Sequence, residues 1–246
     1  MALFRREASA LNRLHHEAIV RYFVFSLDPV LQRHFLAMEL VEGAPLSSLV
    51  ARGPLSASDA QSLIRRLASG LQAAHERGVV HRDVSPDNVL VDGDVARARI
   101  IDFGIAKGTA VDATDGPLVT TPGMLVGTPA YMAPEQINGT TVDARADVFA
   151  LGVLIYEYAT GTHPFLAGTP MATAARILER DPEPLAQRRA DLPVAVTRVV
   201  DRCLQKRAAD RFASAGEIVD ALSSLEPQTP ARPAGRTWWH VHQWVV

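Results

Sequence analysis

The sequence predicts an α+β domain in which short strands come first and helices follow. Two segments, 19–26 and 34–40, are rich in β-branched and aromatic residues and are separated by Asp28 and Pro29, which predicts an antiparallel strand pair. From residue 56 onward the apolar residues recur at helical spacing instead. A chain of 246 residues with 48% hydrophobic residues is long enough to bury a core, and no internal repeat indicates a solenoid.

Each element has its own local signal. A helix is predicted over residues 2–14, before the strand pair. Ser56 and Asp59 form a capping box that begins an amphipathic helix, which Gly78 ends. The long stretch 104–142 is rich in Gly, Thr and Pro, which is typical of a functional loop. Short buried strands are predicted at 79–80, 89–91 and 100–101, further helices at 148–158, 170–180, 194–206 and 214–225, and a flexible linker at 226–236.

Composition excludes several classes of function. The formal net charge is -2 and no basic stripe runs along the chain, so we expect no nucleic-acid partner. The longest apolar run, 148–156, is too short to span a bilayer, and residues 1–7 lack the apolar region of a signal peptide. The single cysteine, Cys203, fits a reducing compartment. We therefore predict a cytoplasmic protein without a membrane span in this chain, and leave open a membrane-tethered longer parent.

Two loops carry groups suited to phosphoryl transfer. His81-Arg82-Asp83 is followed by Asn88 five residues after Asp83, and Asp102-Phe103-Gly104 comes after the next predicted strand. Transfer from a nucleotide needs a carboxylate near the attacking hydroxyl and oxygen ligands for Mg²⁺. Asn88 and Asp102 stand at the ends of two short strands and are the predicted Mg²⁺ ligands. Asp83 is the group predicted to face the substrate hydroxyl.

These motifs, followed in order by GTPAYMAPE at 127–135, resemble the eukaryotic-type serine/threonine protein kinases of bacteria. The resemblance covers roughly residues 3–225. It implies a protein kinase-like fold made mostly of the helical C-lobe, at 43–225, after a partial N-lobe and hinge at 1–42 with one helix and about two strands. Residues 226–246 would be a linker and an apolar tail. ATP, Mg²⁺ and a protein substrate are implied as well.

The resemblance also implies roles for single residues. Asp83 would be the catalytic base and Asn88 and Asp102 the Mg²⁺ ligands. Arg82 would hold a phosphate on the activation loop. Thr128 would mark specificity for Ser and Thr. Thr120 or Thr121 is the hypothesised phosphoacceptor, because both precede the GTPAYMAPE block.

Further positions are assigned to nucleotide binding and support. Met38 corresponds to the gatekeeper, Glu39 to Val41 form the hinge that binds adenine, and Leu90 lies under the ring. Glu135 would pair with Arg211, and Asp147 would anchor the catalytic loop. The stacked hydrophobic spine that aligns the two lobes would consist of Leu11, Tyr22, His81 and Phe103.

Two departures from the family pattern concern lysines. Glu7 matches the helix glutamate whose partner is an upper-lobe lysine, but the chain begins at that helix, without the glycine-rich loop or that lysine. The only lysines are Lys107 and Lys206, and Ser85 stands where family members commonly have a second lysine. We expect an N-terminally truncated kinase domain with impaired turnover.

Alternatives remain open at this point. The chain could be a pseudokinase-like scaffold that binds partner proteins, or a small-molecule kinase of the aminoglycoside phosphotransferase type, which shares the Asp and Asn loops. The incomplete strand pair would leave an unpaired edge, which predicts aggregation or a homodimer through that edge.

Overall fold

The computed structural model describes residues 14–31, 33–103 and 129–224. Within these ranges, two small antiparallel sheets are combined with a larger set of helices, and the predicted α+β class is confirmed. The strands are β1 (Tyr22–Asp28), β2 (Arg33–Met38), β3 (Ala44–Pro45), β4 (Val89–Val91) and β5 (Arg99–Ile100). The helices are α1 (Ala57–His75), α2 (Pro134–Ile137), α3 (Ala144–Thr160), α4 (Pro170–Glu179), α5 (Leu185–Arg188), α6 (Val194–Cys203) and α7 (Ala215–Ser224).

The first sheet is the predicted antiparallel pair of β1 and β2. Its turn is closed by the Asp28 carboxylate, which accepts the amide hydrogens of Val30 at 2.8 Å and Leu31 at 2.9 Å. One face of the pair is open among the described residues, with Phe23 51% and Phe35 47% exposed. The homodimer through this sheet stays a prediction.

The second sheet has the order β3-β4-β5 and lies beside the helices. The segment before β1 is joined to it, because Val20 donates to the Ile100 carbonyl at 3.0 Å and Ile100 donates to Ala18 at 2.8 Å. These bonds connect the start of the described chain to the strand that precedes Asp102. The position of the first strand pair is therefore fixed relative to the candidate site.

Helix α1 forms as its capping box predicts. The Ser56 hydroxyl accepts the Asp59 amide hydrogen at 3.1 Å, and the chain leaves the helix at Gly78, whose φ of 73° suits glycine. One apolar face of α1 is buried and packs against α3 and α7. The buried apolar residues on this face are Ala60, Leu63, Ile64, Leu67, Ala68, Leu71 and Ala74.

Helix α3 is the centre of the core. Its N-cap is Asp143, whose carboxylate accepts the Arg145 amide hydrogen, and its C-cap is Gly161, which has the left-handed conformation. Nearly every residue between 146 and 159 is buried, as expected for a helix covered on all sides. It packs against α1 and α6. Gly152 allows the close approach of α6, because a Cβ added there would lie 2.7 Å from the Cys203 Cβ.

Several expectations differ from the structure or lie outside it. No strand forms at 79–80, because the Val79 amide donates to the Ala74 carbonyl at the end of α1. The two strands that pair with β4 are β3 and β5. Strand β3 and the one-turn helices α2 and α5 were not predicted. The predicted helix at 2–14 lies outside the described residues except for its last residue, and so do most of the long loop and the linker. The boundaries 1–42, 43–225 and 226–246 stay predictions.

We expect Gly152→Ala to destabilise the fold by about 1–3 kcal/mol, because the added methyl group overlaps Cys203 in a tightly packed contact. Alanine would otherwise favour a helix by about 1 kcal/mol. Urea unfolding measures the change. Gly168→Ala is the matched control, since nothing lies within 4 Å of the added methyl group there. Equal stability of the two variants would contradict the packing argument.

Candidate active site

The catalytic loop is held by one buried carboxylate, that of Asp147 in the first turn of α3. Its Oδ2 accepts the His81 amide hydrogen and contacts His75 Nε2, and its Oδ1 accepts the Arg82 amide hydrogen, each at 2.8 Å. Asp147 is only 1% exposed. Because three nitrogen atoms from two other parts of the chain contact this one buried carboxylate, Asp147 fixes the loop relative to the core.

Two residues of the site have a backbone conformation that is unusual outside glycine. Arg82 has a φ of 63° and Asp102 a φ of 53°. Such residues cost on the order of 1–3 kcal/mol and persist where the surroundings hold them in place. At Arg82 the holding contacts are visible, because its amide donates to Asp147 and its carbonyl accepts from Gln136 Nε2 at 2.9 Å.

His81 is fully buried and its hydrogen bonds identify the tautomer. Nδ1 accepts the Asp83 amide hydrogen at 3.2 Å, so Nε2 carries the proton and donates to the Ile101 carbonyl at 2.9 Å. Burial lowers the pKa of His81, in accord with a neutral ring. The histidine thereby connects the loop of Asp83 to the strand end that precedes Asp102.

The structure brings together the described members of the predicted spine. The His81 and Phe103 rings are 4.6 Å apart between centroids, and Tyr22 meets Phe103 edge-on at 6.5 Å. Leu11, the fourth predicted member, lies outside the described residues. All three described members are at most 3% exposed.

Asn88 precedes β4 and Asp102 follows β5, so both lie at the same end of this strand pair in the second sheet. Strands β4 and β5 are antiparallel, so the start of one lies beside the end of the other, and Ile101 donates its amide hydrogen to the Asn88 carbonyl at 2.9 Å. Asn88 Nδ2 donates to the backbone carbonyl of Asp83 at 2.8 Å and to its carboxylate at 3.3 Å. With the amide nitrogen used in this way, the Asn88 amide oxygen is the atom left to bind a cation.

This donor set fits Mg²⁺. No three His, Cys, Asp or Glu side chains group as a metal cage within residues 14–31, 33–103 and 129–224. Mg²⁺ usually takes one or two protein oxygen ligands and completes its shell with phosphates and water. The Asn88 amide oxygen and the Asp102 carboxylate could hold it in that manner.

The predicted hinge follows β2. The Glu39 amide donates to the Arg21 carbonyl at 2.8 Å, whereas no hydrogen bond within the described ranges occupies the Glu39 carbonyl or the Val41 amide. Those two groups have the donor and acceptor types that an adenine edge needs. Met38 ends β2, and Leu90 lies in β4 opposite Pro45.

The predicted pair of Glu135 and Arg211 is in contact. Arg211 is 2% exposed and donates to the two Glu135 carboxylate oxygens at 2.7 and 2.8 Å. Its remaining donors bind the carbonyls of Arg145, Gln205 and Lys206, so all five guanidinium hydrogens have acceptors. Removing one partner of such a pair typically costs about 3–5 kcal/mol. The arrangement fixes α2 against the segment before α7.

The remaining predicted residues are partly outside the structure. Ser85 is half-buried and precedes the 3₁₀ turn Pro86–Asn88. The Asn88 amide donates to the Ser85 carbonyl at 3.0 Å. Arg82 has its Nε buried without a hydrogen-bond partner in the described chain. Glu7, Thr120, Thr121 and Thr128 lie outside the described residues.

Sequence reasoning missed a cluster of polar groups that contact the segment just after residue 128. Tyr131 donates to the Glu157 carboxylate on α3, and burial raises the pKa values of both groups. His163 Nε2 pairs with the Ala130 carbonyl at 3.1 Å, and its Nδ1 accepts the Phe165 amide hydrogen at 3.1 Å. His75 was also missed as a partner of Asp147. The available signal was the polar character of Glu157 inside an otherwise apolar helix.

A cavity of about 560 Å³ opens beside the hinge and not at the catalytic loop. Arg66, Arg97, Arg99 and Glu39 are among its lining residues. Arg99 forms an ion pair with Glu39, and this hydrogen bond lowers the pKa of the Glu39 carboxyl. The residues suited to phosphoryl transfer do not line this cavity, so the candidate active site is defined by its donor set and not by depth.

Comparison with known proteins identifies the class. The protein kinase domain family matches residues 2–222, so the chain belongs to that family. It is 40% identical over 223 residues to the serine/threonine-protein kinase Pkn1 of Myxococcus xanthus, covering 89% of this chain and 31% of that protein. It is 36% identical over 234 residues to the serine/threonine-protein kinase PknB of Mycolicibacterium smegmatis, covering 94% of this chain and 37% of that protein.

A solved structure agrees with the fold. The crystal structure of Rad53 1-466 in complex with AMP-PNP has a TM-score of 0.73 and 25% identity, covering 90% of this chain and 54% of that one. The predicted protein kinase fold and the resemblance to bacterial serine/threonine kinases are confirmed. The chain spans only about a third of the length of the two curated relatives named above.

No helix in the described ranges is both long enough and apolar enough to cross a bilayer.

The stability of the Tyr131 region is expected to depend on pH through His163. Burial lowers the pKa of His163 to about 4, below the unfolded value of 6.5. The unfolded chain therefore binds more protons between these values, and stability falls as the pH is lowered through this window. Between pH 7.5 and pH 5 the loss from this group should be about 2 kcal/mol.

Urea unfolding of the wild type and of His163→Gln at both pH values measures this loss. The variant should lose about 2 kcal/mol less than the wild type over the same interval. Comparing the two intervals cancels any pH-independent effect of the substitution. Parallel pH profiles would contradict a buried neutral His163.

Proposed function

We propose that this chain acts in a serine/threonine protein kinase as the part that binds Mg²⁺ and ATP and presents the catalytic base to a protein hydroxyl. The observation that carries the proposal is the junction at Asn88, whose amide nitrogen binds Asp83 and whose carbonyl is bonded to the residue before Asp102. A general base and two metal ligands therefore share one rigid loop and strand edge. Family membership supports ATP as the phosphoryl donor.

Each residue then has a defined task. Asp83 accepts the hydroxyl proton of the substrate as the hydroxyl oxygen bonds to the γ-phosphorus; the bond from that phosphorus to the β,γ-bridging oxygen breaks, and ADP is the leaving group. Asn88 keeps the Asp83 carboxylate in position through its amide hydrogens. Asn88 and Asp102 hold Mg²⁺, which when bound neutralises charge on the phosphate oxygens. The Glu39 carbonyl and the Val41 amide orient the adenine, with Met38 and Leu90 as its apolar neighbours.

Regulation is proposed on the same residues. Arg82 lies next to the base and has a buried Nε without a hydrogen-bond partner in the described chain. A phosphate on Thr120 or Thr121 would supply an acceptor for that guanidinium group. Thr128 and the Glu135–Arg211 pair belong to the proposed platform for a protein substrate.

We further propose that turnover by the 246-residue chain alone is slow. Ser85 takes the place of a cation in the catalytic loop, and a hydroxyl can bind a phosphate oxygen without neutralising it. Losing one such donor typically costs about 10²–10³ in rate. A scaffold function through partner proteins is the second candidate, and the same Ser85 position favours it.

We expect Asp102→Ala to abolish the Mg²⁺-dependent part of nucleotide binding, because it removes the proposed carboxylate ligand. The measurement is the shift in melting temperature with ATP, first with Mg²⁺ and then with EDTA. The shift with EDTA should stay unchanged. Asp92→Ala is the matched control, since Asp92 is exposed and its 3.5 Å ion pair with Arg97 lies at the surface. An unchanged Mg²⁺-dependent shift in Asp102→Ala would overturn the assignment of the metal site.

We expect Ser85→Lys to raise the rate of phosphoryl transfer by roughly 10- to 100-fold, because it restores a cation beside the phosphates. The readout is the initial rate of label transfer from γ-labelled ATP to a general protein substrate. Ser224→Lys adds the same charge at the exposed end of α7 and should leave the rate unchanged. Adding Asp83→Asn to Ser85→Lys should remove the gain. No gain in Ser85→Lys would count against a phosphate-binding role for position 85.

A further inference from the structure

Tyr22 has a hydroxyl group whose place in the fold is unusual. The residue begins β1, is 3% exposed and presents its ring edge to Phe103. Its hydroxyl is buried and makes no hydrogen bond of normal geometry in the described part of the chain. Burial raises the pKa of the Tyr22 hydroxyl to about 12; the Phe103 amide opposes this shift, the Asp102 carboxylate adds to it and the Asp102 amide opposes it. Buried polar atoms without partners are rare, and each calls for an explanation.

The neighbour of this hydroxyl is the strained point of the metal-binding edge. Asp102 has a φ of 53°, a conformation that non-glycine residues adopt at a cost. At Arg82 the same strain is held by Asp147 and Gln136, but within the described ranges no backbone carbonyl accepts the amide hydrogens of Asp102 and Phe103. Each of these two amides lowers the pKa of Tyr22, as a hydrogen donated toward the phenolic oxygen does.

We propose that the Tyr22 hydroxyl is a positioning group for Asp102: its oxygen accepts the Phe103 amide hydrogen when nucleotide and Mg²⁺ are bound, and this bond holds Asp102 in the conformation that presents its carboxylate to the metal. The inference rests on the proposed function, because it needs Asp102 as a Mg²⁺ ligand. Hydrogen bonds at active sites are often long or poorly aligned without substrate and tighten in the complex. Binding of the ligand would thus bring the Phe103 amide to a hydroxyl that has no hydrogen-bond partner among the described residues.

This role differs in its consequences from simple packing. A phenylalanine ring would fill the same space and keep the edge contact with Phe103. In the free chain, Tyr22→Phe removes a buried hydroxyl that has no hydrogen-bond partner among the described residues, so the melting temperature should stay equal or rise. Only the ligand-bound state loses a hydrogen bond. A structural role alone would lower the melting temperature and leave the Mg²⁺ dependence of binding unchanged.

The experiment measures the affinity of the chain for AMP-PNP by titration calorimetry, with Mg²⁺ and with EDTA. In Tyr22→Phe the dissociation constant with Mg²⁺ should rise about three- to tenfold, as expected for one lost hydrogen bond. The constant with EDTA should not change. Tyr158→Phe is the matched control, because Tyr158 is 4% exposed on α3 and its buried hydroxyl likewise has no hydrogen-bond partner in the part of the chain that the structure describes.

The outcomes separate the two proposals. Wild-type chain without any Mg²⁺-dependent binding would overturn the proposed function and this inference with it. Mg²⁺-dependent binding that is equal in the wild type and in Tyr22→Phe would overturn the inference alone. An equal loss in Tyr158→Phe would also overturn it, since the effect would then be general to buried hydroxyls.

Amide hydrogen exchange of the wild type gives a second, variant-free test. The Phe103 amide should become at least threefold more protected when Mg²⁺ and AMP-PNP are added than with AMP-PNP and EDTA. Protection that is the same in both conditions would overturn the proposed hydrogen bond.

Discussion

The site depends on the carboxylate of Asp147 more than on any other single group. It accepts two consecutive backbone amide hydrogens of the catalytic loop and contacts the His75 ring at the end of α1. One side chain therefore joins α1, the catalytic loop and α3. Without it, the left-handed backbone at Arg82 would keep, among the described contacts, the Gln136 hydrogen bond alone.

A second polar anchor, at the first turn of α3, uses the same principle. Arg211 satisfies all five of its donors with Glu135 and three carbonyls while it is almost completely buried. The helices themselves pack through apolar faces, whose attraction has no preferred direction. Loops cannot be positioned in that way, because their backbone groups need partners when buried. Buried ionic groups therefore hold the functional loops, and the apolar core holds the helices.

The sequence predicted those elements whose signals are local. The capping box at Ser56, the antiparallel pair at β1 and β2 and the apolar helix α3 follow from neighbouring residues alone. Contacts between distant residues left no such signal. The bonds of His75 to Asp147 and of Tyr131 to Glu157 join separate elements, so periodicity could not predict them. The motif residues were predicted by their resemblance to a family, whereas the positive φ values at Arg82 and Asp102 depend on contacts that only the fold supplies.

The charged groups of the candidate active site depend on one another. Asp83, Asp87 and Asp102 contribute three carboxyl groups within a short stretch, and Arg82 is the adjacent cation. A nucleotide triphosphate brings further negative charge to the same edge, and unit charges about 4 Å apart repel by about 4 kcal/mol at an effective dielectric constant of 20. Binding of the phosphates therefore requires a cation between them and Asp102. Since Ser85 supplies none, the divalent ion proposed at Asn88 and Asp102 would carry more of this neutralisation than it would beside a lysine. The position of Asp102 would then be the most sensitive geometric parameter of the proposed metal site.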